Sequence, residues 1–190
     1  MKALNRKIIL ASKSPRRSFL LKQAGFDFEV KTKEVAEDYP ADMPVDAVAP
    51  YLARKKALAA ADFITEDEII LASDCVVVLD DVIYGKPTDY ADAVRILKTL
   101  SGKVHRVITG ICLLSKEKEV TLSDVSKVYM DDLSAEEIDF YIRHYQPFDK
   151  AGAYAIQEWI GLCKISKIEG SYANIMGLPV HLVYKALQAF

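Results

Sequence analysis

The stretch KIILASKSPRRSFLLKQAG, residues 7–25, places a short apolar strand directly before a helix. Ser14 is a favourable N-cap residue, and Pro15 occupies the first helical position, where proline is preferred. Arg16 and Arg17 therefore fall in the first turn, where the helix dipole is already positive. Because two cations are unfavourable at that end of a helix, the pattern indicates a bound anion.

A strand, a short polar turn and a helix N-terminus form the arrangement through which backbone N–H groups bind phosphate. Ser14, Arg16 and Arg17 are therefore candidate phosphate-binding residues. Each charged hydrogen bond from an arginine contributes about 1.5–3 kcal/mol, which exceeds a dipole penalty of about 0.3–1 kcal/mol. The alternative is that both arginines are exposed surface residues. The chain contains no GxxxxGK[ST] sequence, so this is not a Walker A loop.

The rest of the chain alternates between strands and helices. A hairpin is expected after the strand at 69–79, and Ser134 to Glu137 form a capping box at the start of a helix. Long adjacent strands with interspersed helices predict a mixed α/β sheet, and 190 residues suffice for a core without disulfides. The other expected elements are a strand at 26–30, a helix ending near 61, a helix at 89–102, strands at 104–114, 119–130 and 162–168, and a final helix from about 178.

Charge is distributed unevenly in a chain whose formal net charge is only −2. Residues 1–33 hold nine lysines and arginines, whereas residues 34–53 hold five acidic residues and no basic one. This pairing suits a site for an anion and a divalent metal, although solvated surface is the alternative. Nucleic-acid binding would need aromatic residues within the basic region. Phe19, Phe26 and Phe28 fit core positions better, so no nucleic-acid partner is expected.

The three cysteines are widely spaced and form no CxxC pair, which excludes a disulfide framework and a zinc site of that type. This cysteine usage is typical of the reducing cytoplasm. The first residues do not show the basic and apolar pattern of a signal peptide, and no apolar run approaches 18 residues, so neither secretion nor a membrane span is expected. We therefore expect a cytoplasmic protein without a membrane partner.

Asp74 interrupts an apolar run that extends from residue 69 to residue 79. A carboxylate in such a run is costly unless it is paired, metal-bound or catalytic. A hydrogen-bonded aspartate on an edge strand is the alternative. Glu37, in the acidic loop, is a second candidate metal ligand, and a solvated side chain is its alternative.

Four further residues are candidate site residues, and three of them also have an interpretation without a functional role. Lys56 lies within a helix among other basic residues, where a lysine is usually at the surface. Lys86 follows a glycine and precedes a proline that fixes the turn. Gln157 carries an amide able to recognise a base edge, but it could be only a polar residue. Cys75 has no neighbouring base, so a small buried cysteine is the alternative to a nucleophile.

Six segments of the chain carry a family resemblance: LASKSPRR (10–17), ASDCVVV (72–78), YGKP (84–87), LSGKVHRVITG (100–110), DKAGAYAIQ (149–157) and GSYANIMGLP (170–179). Together they resemble the Maf family of nucleoside triphosphate pyrophosphatases. The resemblance implies one Maf-like domain over 1–190 with an inosine-triphosphatase-like fold, in which helices flank an elongated mixed sheet and two lobes enclose a cleft.

The resemblance implies hydrolysis between the α and β phosphates, which yields a nucleoside monophosphate and pyrophosphate with the help of Mg²⁺ or Mn²⁺. Asp74 matches the family's proton acceptor and would hold the metal together with Glu37. Lys56 and Lys86 match the family's catalytic lysines. Family members are often dimers, so a homodimer is expected.

The SPRR sequence together with Gln157 resembles the branch that acts on dTTP and UTP. Arg16, Cys75 and Gln157 then become the residues that set substrate specificity. Cys75 replaces a usual threonine and Glu158 a usual glycine, which leaves the nucleotide preference open. The family's association with septum formation suggests the alternative of a regulator of cell division that acts through a protein partner.

Overall fold

The computed structural model describes residues 5–190, which form seven strands and seven α-helices. Residues 1–4 of the domain predicted over 1–190 lie outside the described residues. The strands are β1 (Ile8–Leu10), β2 (Phe28–Val30), β3 (Ile69–Leu79), β4 (Val82–Tyr84), β5 (Val104–Leu114), β6 (Glu119–Met130) and β7 (Ile165–Glu169). The helices are α1 (Pro15–Gln23), α2 (Val45–Ala59), α3 (Tyr90–Leu100), α4 (Ala135–Tyr145), α5 (Trp159–Cys163), α6 (Tyr172–Ile175) and α7 (Val180–Leu187).

The strands form one mixed sheet in the order β2-β1-β3-β5-β6-β7, with β4 paired to β3 outside this path. Strand β1 runs parallel to both β2 and β3, whereas β3–β4 and β6–β7 are antiparallel pairs. Asp80 and Asp81 adopt positive φ angles in the β3–β4 turn, as a tight hairpin requires. The predicted mixed α/β sheet with flanking helices is confirmed.

The described chain divides into two compact units, each with its own core. The first comprises residues up to Asp74, Thr109–Asp124 and Gly177–Phe190, and the second comprises Cys75–Ile108 and Val125–Met176. The first unit has two apolar clusters because alternate residues of β1 face opposite sides of the sheet: Ile8 and Leu10 join one cluster and Ile9 the other.

The second unit has a single large apolar cluster. Helix α3 contributes its predicted inward face, because Ala93, Ile96, Leu97 and Leu100 are all buried. The capping box predicted at the start of α4 is also present: Ser134 and Glu137 each accept the other's backbone N–H through their side chains.

Pro50 lies inside helix α2 and not in its first turn. The helix packs closely on β5 there, since a Cβ added to Gly110 would lie 2.3 Å from the Pro50 nitrogen. A proline removes a hydrogen bond from the helix, and a glycine opposite lets the two backbones approach.

Two expectations are wrong. The strand predicted over 162–168 begins only at Ile165, because Trp159–Cys163 form the short helix α5. Phe19, expected at a core position, is 53% exposed on helix α1, whereas Phe26 is buried.

Candidate active site

The β1–α1 connection fixes Arg17 through hydrogen bonds within the first unit. Its Nη1 donates to Ser12 Oγ at 2.9 Å, and its Nε donates to the Gly177 carbonyl at 2.9 Å. Ser12 Oγ also accepts the backbone N–H of Ser14 at 3.2 Å. The guanidinium is therefore oriented by the protein at the first turn of α1.

Ser14 occupies the predicted N-cap position, and Pro15 begins the helix as expected. Within the described residues, the Ser14 side chain makes no capping hydrogen bond to α1. Arg16 lies half-buried in the first turn of the same helix. The predicted strand, turn and helix N-terminus are confirmed, whereas the phosphate-binding roles of Ser14, Arg16 and Arg17 stay predictions.

The Gly177 carbonyl connects helix α1 with strand β3 through two hydrogen bonds. It accepts the Arg17 bond described above and a second bond from Ser73 Oγ at 2.9 Å. Ser73 is fully buried in β3, directly before Asp74. Position 177 adopts a φ of +98°, a conformation that favours glycine. The Gly177 carbonyl therefore holds helix α1 near Ser73, in the part of β3 that belongs to the first unit.

Asp74 is buried in β3 and pairs with a lysine from helix α2. Its Oδ1 lies 2.5 Å from Lys56 Nζ, and the same ammonium lies 2.8 Å from Glu37 Oε1. The Asp74 and Lys56 side chains are 10% and 17% exposed. A charge buried to this degree is costly without a partner, and Lys56 supplies that partner. The structure therefore places Lys56 between Asp74 and Glu37, the two carboxylates that the family resemblance pairs as metal ligands.

Helix α2 also fastens the acidic loop that follows β2. Lys55 Nζ lies 2.6 Å from Asp38 Oδ1, next to the pair formed by Lys56 and Glu37. Acidic residues of the loop thus contact consecutive lysines of one helix. The interpretation of Lys56 as a plain surface residue is wrong, since its side chain is mostly buried between two carboxylates.

The two carboxylates at Lys56 are candidate metal ligands. Among residues 5–190, no group of three or more His, Cys, Asp or Glu side chains is arranged to hold a metal by itself. Mg²⁺ is usually bound by one or two carboxylates together with substrate phosphates and water. Asp74 and Glu37, which converge on one ammonium, fit that donor set.

Lys86 and Gln157 belong to the second unit. Lys86 is exposed in the connection between β4 and α3, between the exposed Gly85 and the buried Pro87. The Gly85 carbonyl accepts the backbone N–H of Gly152 at 3.1 Å, which holds this connection in place. Gln157 is half-buried, and among residues 5–190 its buried Oε1 has no hydrogen-bond partner.

Cys75 is half-buried and packs against the apolar cluster of the second unit. In the same unit, His105 is buried, and its Nε2 lies 2.7 Å from the hydroxyl of Tyr154. Burial lowers the pKa of His105 to about 4, so the imidazole is neutral near pH 7. No local sequence pattern predicts the His105–Tyr154 pair, because the two residues lie 49 positions apart.

The positioning role of Ser73 was also missed. A signal was present, since Ser73 interrupts the same apolar run as Asp74, and a buried hydroxyl needs a hydrogen-bond partner.

No helix within residues 5–190 combines the length and apolar character needed to cross a membrane.

The fold class is shared with proteins of the Ham1 type. The Ham1 protein of Staphylococcus aureus superimposes with a TM-score of 0.50 at 15% sequence identity, over 67% of this chain and 73% of that one. The model of the family described as "Maf-like protein" matches residues 7–190. The chain belongs to this family, as the sequence motifs predicted.

Relatives in the family are similar along nearly the whole chain. A dTTP/UTP pyrophosphatase of Porphyromonas gingivalis is 46% identical over 187 residues, which are 97% of this chain and 94% of the relative. A dTTP/UTP pyrophosphatase of Phocaeicola vulgatus is 48% identical over 183 residues, which are 96% and 95% of the two chains.

Proposed function

We propose that this protein is a nucleoside triphosphate pyrophosphatase that hydrolyses dTTP and UTP to the monophosphate and pyrophosphate. The observation that carries the proposal is the buried Asp74 carboxylate held by Lys56 beside Glu37. The names of the relatives from Porphyromonas gingivalis and Phocaeicola vulgatus support the choice of nucleotides.

In the proposed reaction, Asp74 accepts a proton from a water molecule that attacks the α-phosphorus. The bond between that phosphorus and the bridging oxygen breaks, and pyrophosphate leaves. Lys56 holds the carboxylate in place and, with Lys86, offsets negative charge on the phosphates. Arg17, which is fixed by Ser12 and Gly177, is proposed to bind phosphate with little loss of side-chain entropy.

Ser14 and Arg16 complete the proposed phosphate-binding turn. The backbone N–H groups at the start of α1 favour an anion, and a guanidinium can bond phosphate oxygens in a bidentate manner. Arg16, Cys75 and Gln157 are proposed to set nucleotide specificity, as the family resemblance implies.

Asp74 and Glu37 are the residues that would hold a divalent metal. Mg²⁺ or Mn²⁺ would supply positive charge to the triphosphate. The single Lys56 ammonium contacts both carboxylates, which holds them close together.

A panel of nucleoside triphosphates tests the proposed function. With MgCl₂ present, dTTP and UTP should be turned over fastest, and the products should be pyrophosphate and the monophosphate. Release of orthophosphate, or no turnover of any triphosphate, would contradict the proposal.

Replacing Glu37 with glutamine should raise the Mg²⁺ concentration for half-maximal activity several-fold, because a carboxylate ligand is lost. The matched control is Glu34→Gln in the same loop, where Glu34 is 94% exposed beside Lys13. Titration of Mg²⁺ into each variant with a non-hydrolysable UTP analogue measures binding apart from turnover. Equal Mg²⁺ affinity of Glu37→Gln and wild type would exclude Glu37 as a ligand.

Replacing Gln157 with glutamate should lower kcat/KM for dTTP and UTP by about 10–100-fold, the equivalent of one or two hydrogen bonds. A glutamine amide offers both a donor and an acceptor to a pyrimidine edge, whereas an ionised glutamate only accepts. Gln188→Glu, at an exposed position near the end of the chain, is the control. An unchanged nucleotide profile in Gln157→Glu would remove Gln157 from the recognition of the base.

We also propose a cellular location for the protein. Cys75, Cys112 and Cys163 are free cysteines, which agrees with a reducing cytoplasm. A homodimer, and the lack of a nucleic-acid or membrane partner, stay predictions from the sequence.

A further inference from the structure

A buried polar chain in the second unit links helix α4 to the segment that carries Gln157. The hydroxyl of the fully buried Tyr141 donates a hydrogen bond to Glu158 Oε2. The same hydroxyl accepts the backbone N–H of Ala155 at 3.0 Å. Burial and the bond to Glu158 raise the pKa of Tyr141, so the phenol keeps its proton and stays a donor.

Lys150 completes this chain from the other side of Glu158. Its Nζ lies 3.5 Å from Glu158 Oε1 and 2.8 Å from Asp149 Oδ1, and its side chain is 9% exposed. The Glu158 side chain is 19% exposed. The Glu158 carboxylate is therefore mostly shielded from solvent. The Tyr141 phenol bonds one of its oxygens and the Lys150 ammonium lies near the other, so the carboxylate has little freedom to move.

These contacts anchor both ends of the short segment Ala155–Glu158. Ala155 is bound through Tyr141, and the Glu158 N–H donates to the Ala155 carbonyl at 3.1 Å. Helix α5 packs tightly against the middle of the segment, since a Cβ added to Gly161 would lie 1.7 Å from the Ile156 oxygen. The backbone of Gln157 is therefore fixed from both sides.

The Gln157 amide depends on this backbone for its position. Its Oε1 is buried, and no described residue donates a hydrogen bond to it. The Cα atom of Gln157 fixes where its side chain begins, so a shift of the backbone shifts the amide with it. Movement of Glu158 would thus move the amide that the proposed function assigns to base recognition.

We propose that Glu158, through its hydrogen bond with Tyr141, is a positioning residue that sets nucleotide selectivity by fixing Gln157. This inference rests on the proposed role of Gln157. In this proposal Glu158 acts through Gln157 and not by contacting the nucleotide.

The test compares the variants Glu158→Ala, Tyr141→Phe and Glu158→Gln. We expect the ratio of kcat/KM for UTP to that for CTP to fall about tenfold in the first two, the equivalent of one hydrogen bond. The change should appear chiefly as a higher KM for UTP, because the phosphate-binding and proton-accepting residues are unaltered. Glu158→Gln should retain most of the ratio, since it keeps an acceptor oxygen for Tyr141.

The matched control is Tyr90→Phe, which removes a tyrosine–carboxylate bond to Asp139 elsewhere in the same unit. It should leave the ratio unchanged. Hydrogen exchange of the peptide covering 153–158 gives a readout that needs no substrate, and exchange should be faster in Glu158→Ala than in wild type.

The outcomes separate this inference from the proposed function. A wild-type selectivity ratio in folded Glu158→Ala and Tyr141→Phe would overturn the positioning role while leaving the pyrophosphatase intact. If Glu158→Ala does not fold, Tyr141→Phe decides by the same ratio, and failure of both to fold would assign the pair to stability alone and overturn the inference. A wild-type protein without pyrophosphatase activity would overturn the proposed function, and with it the selectivity role, whatever the exchange rates show.

Discussion

Asp74→Asn should lower kcat for UTP by about 10²–10⁴-fold, the usual cost of losing a general base. Asparagine has almost the same shape as aspartate, but it cannot accept a proton from water at neutral pH. The fold should persist, because the substitution keeps an oxygen that can accept a bond from Lys56. Pyrophosphate release and thermal unfolding of the purified variant measure the two effects separately.

The control for this experiment is Asp80→Asn, the same change at an exposed position in the turn directly after strand β3. Asp80 adopts a φ of +50°, which asparagine also tolerates, so the hairpin should be kept. Turnover of Asp74→Asn at the wild-type rate would refute the proton-acceptor role. It would also favour the alternative of a regulator that acts through a protein partner, which does not need this carboxylate.

Much of the fold could be predicted from the sequence because its signals are local. The apolar run at 69–79, the Ser134 capping box and the amphipathic face of α3 each specify an element through residues a few positions apart. Helix α5 was missed for the opposite reason. Its five residues are too few to show a helical period, and its last two residues were included in the strand predicted over 162–168.

The contacts of the candidate site join residues that are far apart in the sequence, so local sequence patterns do not predict them. Lys56 and Asp74 are 18 positions apart, and Ser73 bonds a carbonyl 104 positions away. An apolar run shows that Asp74 needs a partner, but only the packing of α2 on the sheet determines which cation supplies it. The link between Tyr141 and Glu158 has the same origin, since helix α4 and the segment before α5 meet only in the folded unit.

Lys56→Met should destabilise the protein by about 3 kcal/mol, the lower end of the cost of leaving a buried charge without its partner. Methionine keeps the length of the side chain, so the loss reflects the missing ammonium between Asp74 and Glu37. At roughly 2–4 °C per kcal/mol for a domain of this size, the melting temperature should fall by about 10 °C. Activity should fall as well, because the Asp74 carboxylate loses the group that orients it.

Lys55→Met tests whether this cost is specific to the buried position. Lys55 is the neighbouring residue of α2, and its partner Asp38 is 77% exposed, so the melting temperature should stay near that of wild type. The double variant Lys56→Met with Asp74→Asn should be more stable than the sum of the single losses predicts, because no unpaired carboxylate remains in β3. Strict additivity of the two substitutions would show that the ion pair carries no coupling energy, and Lys56 would then act on the phosphates alone.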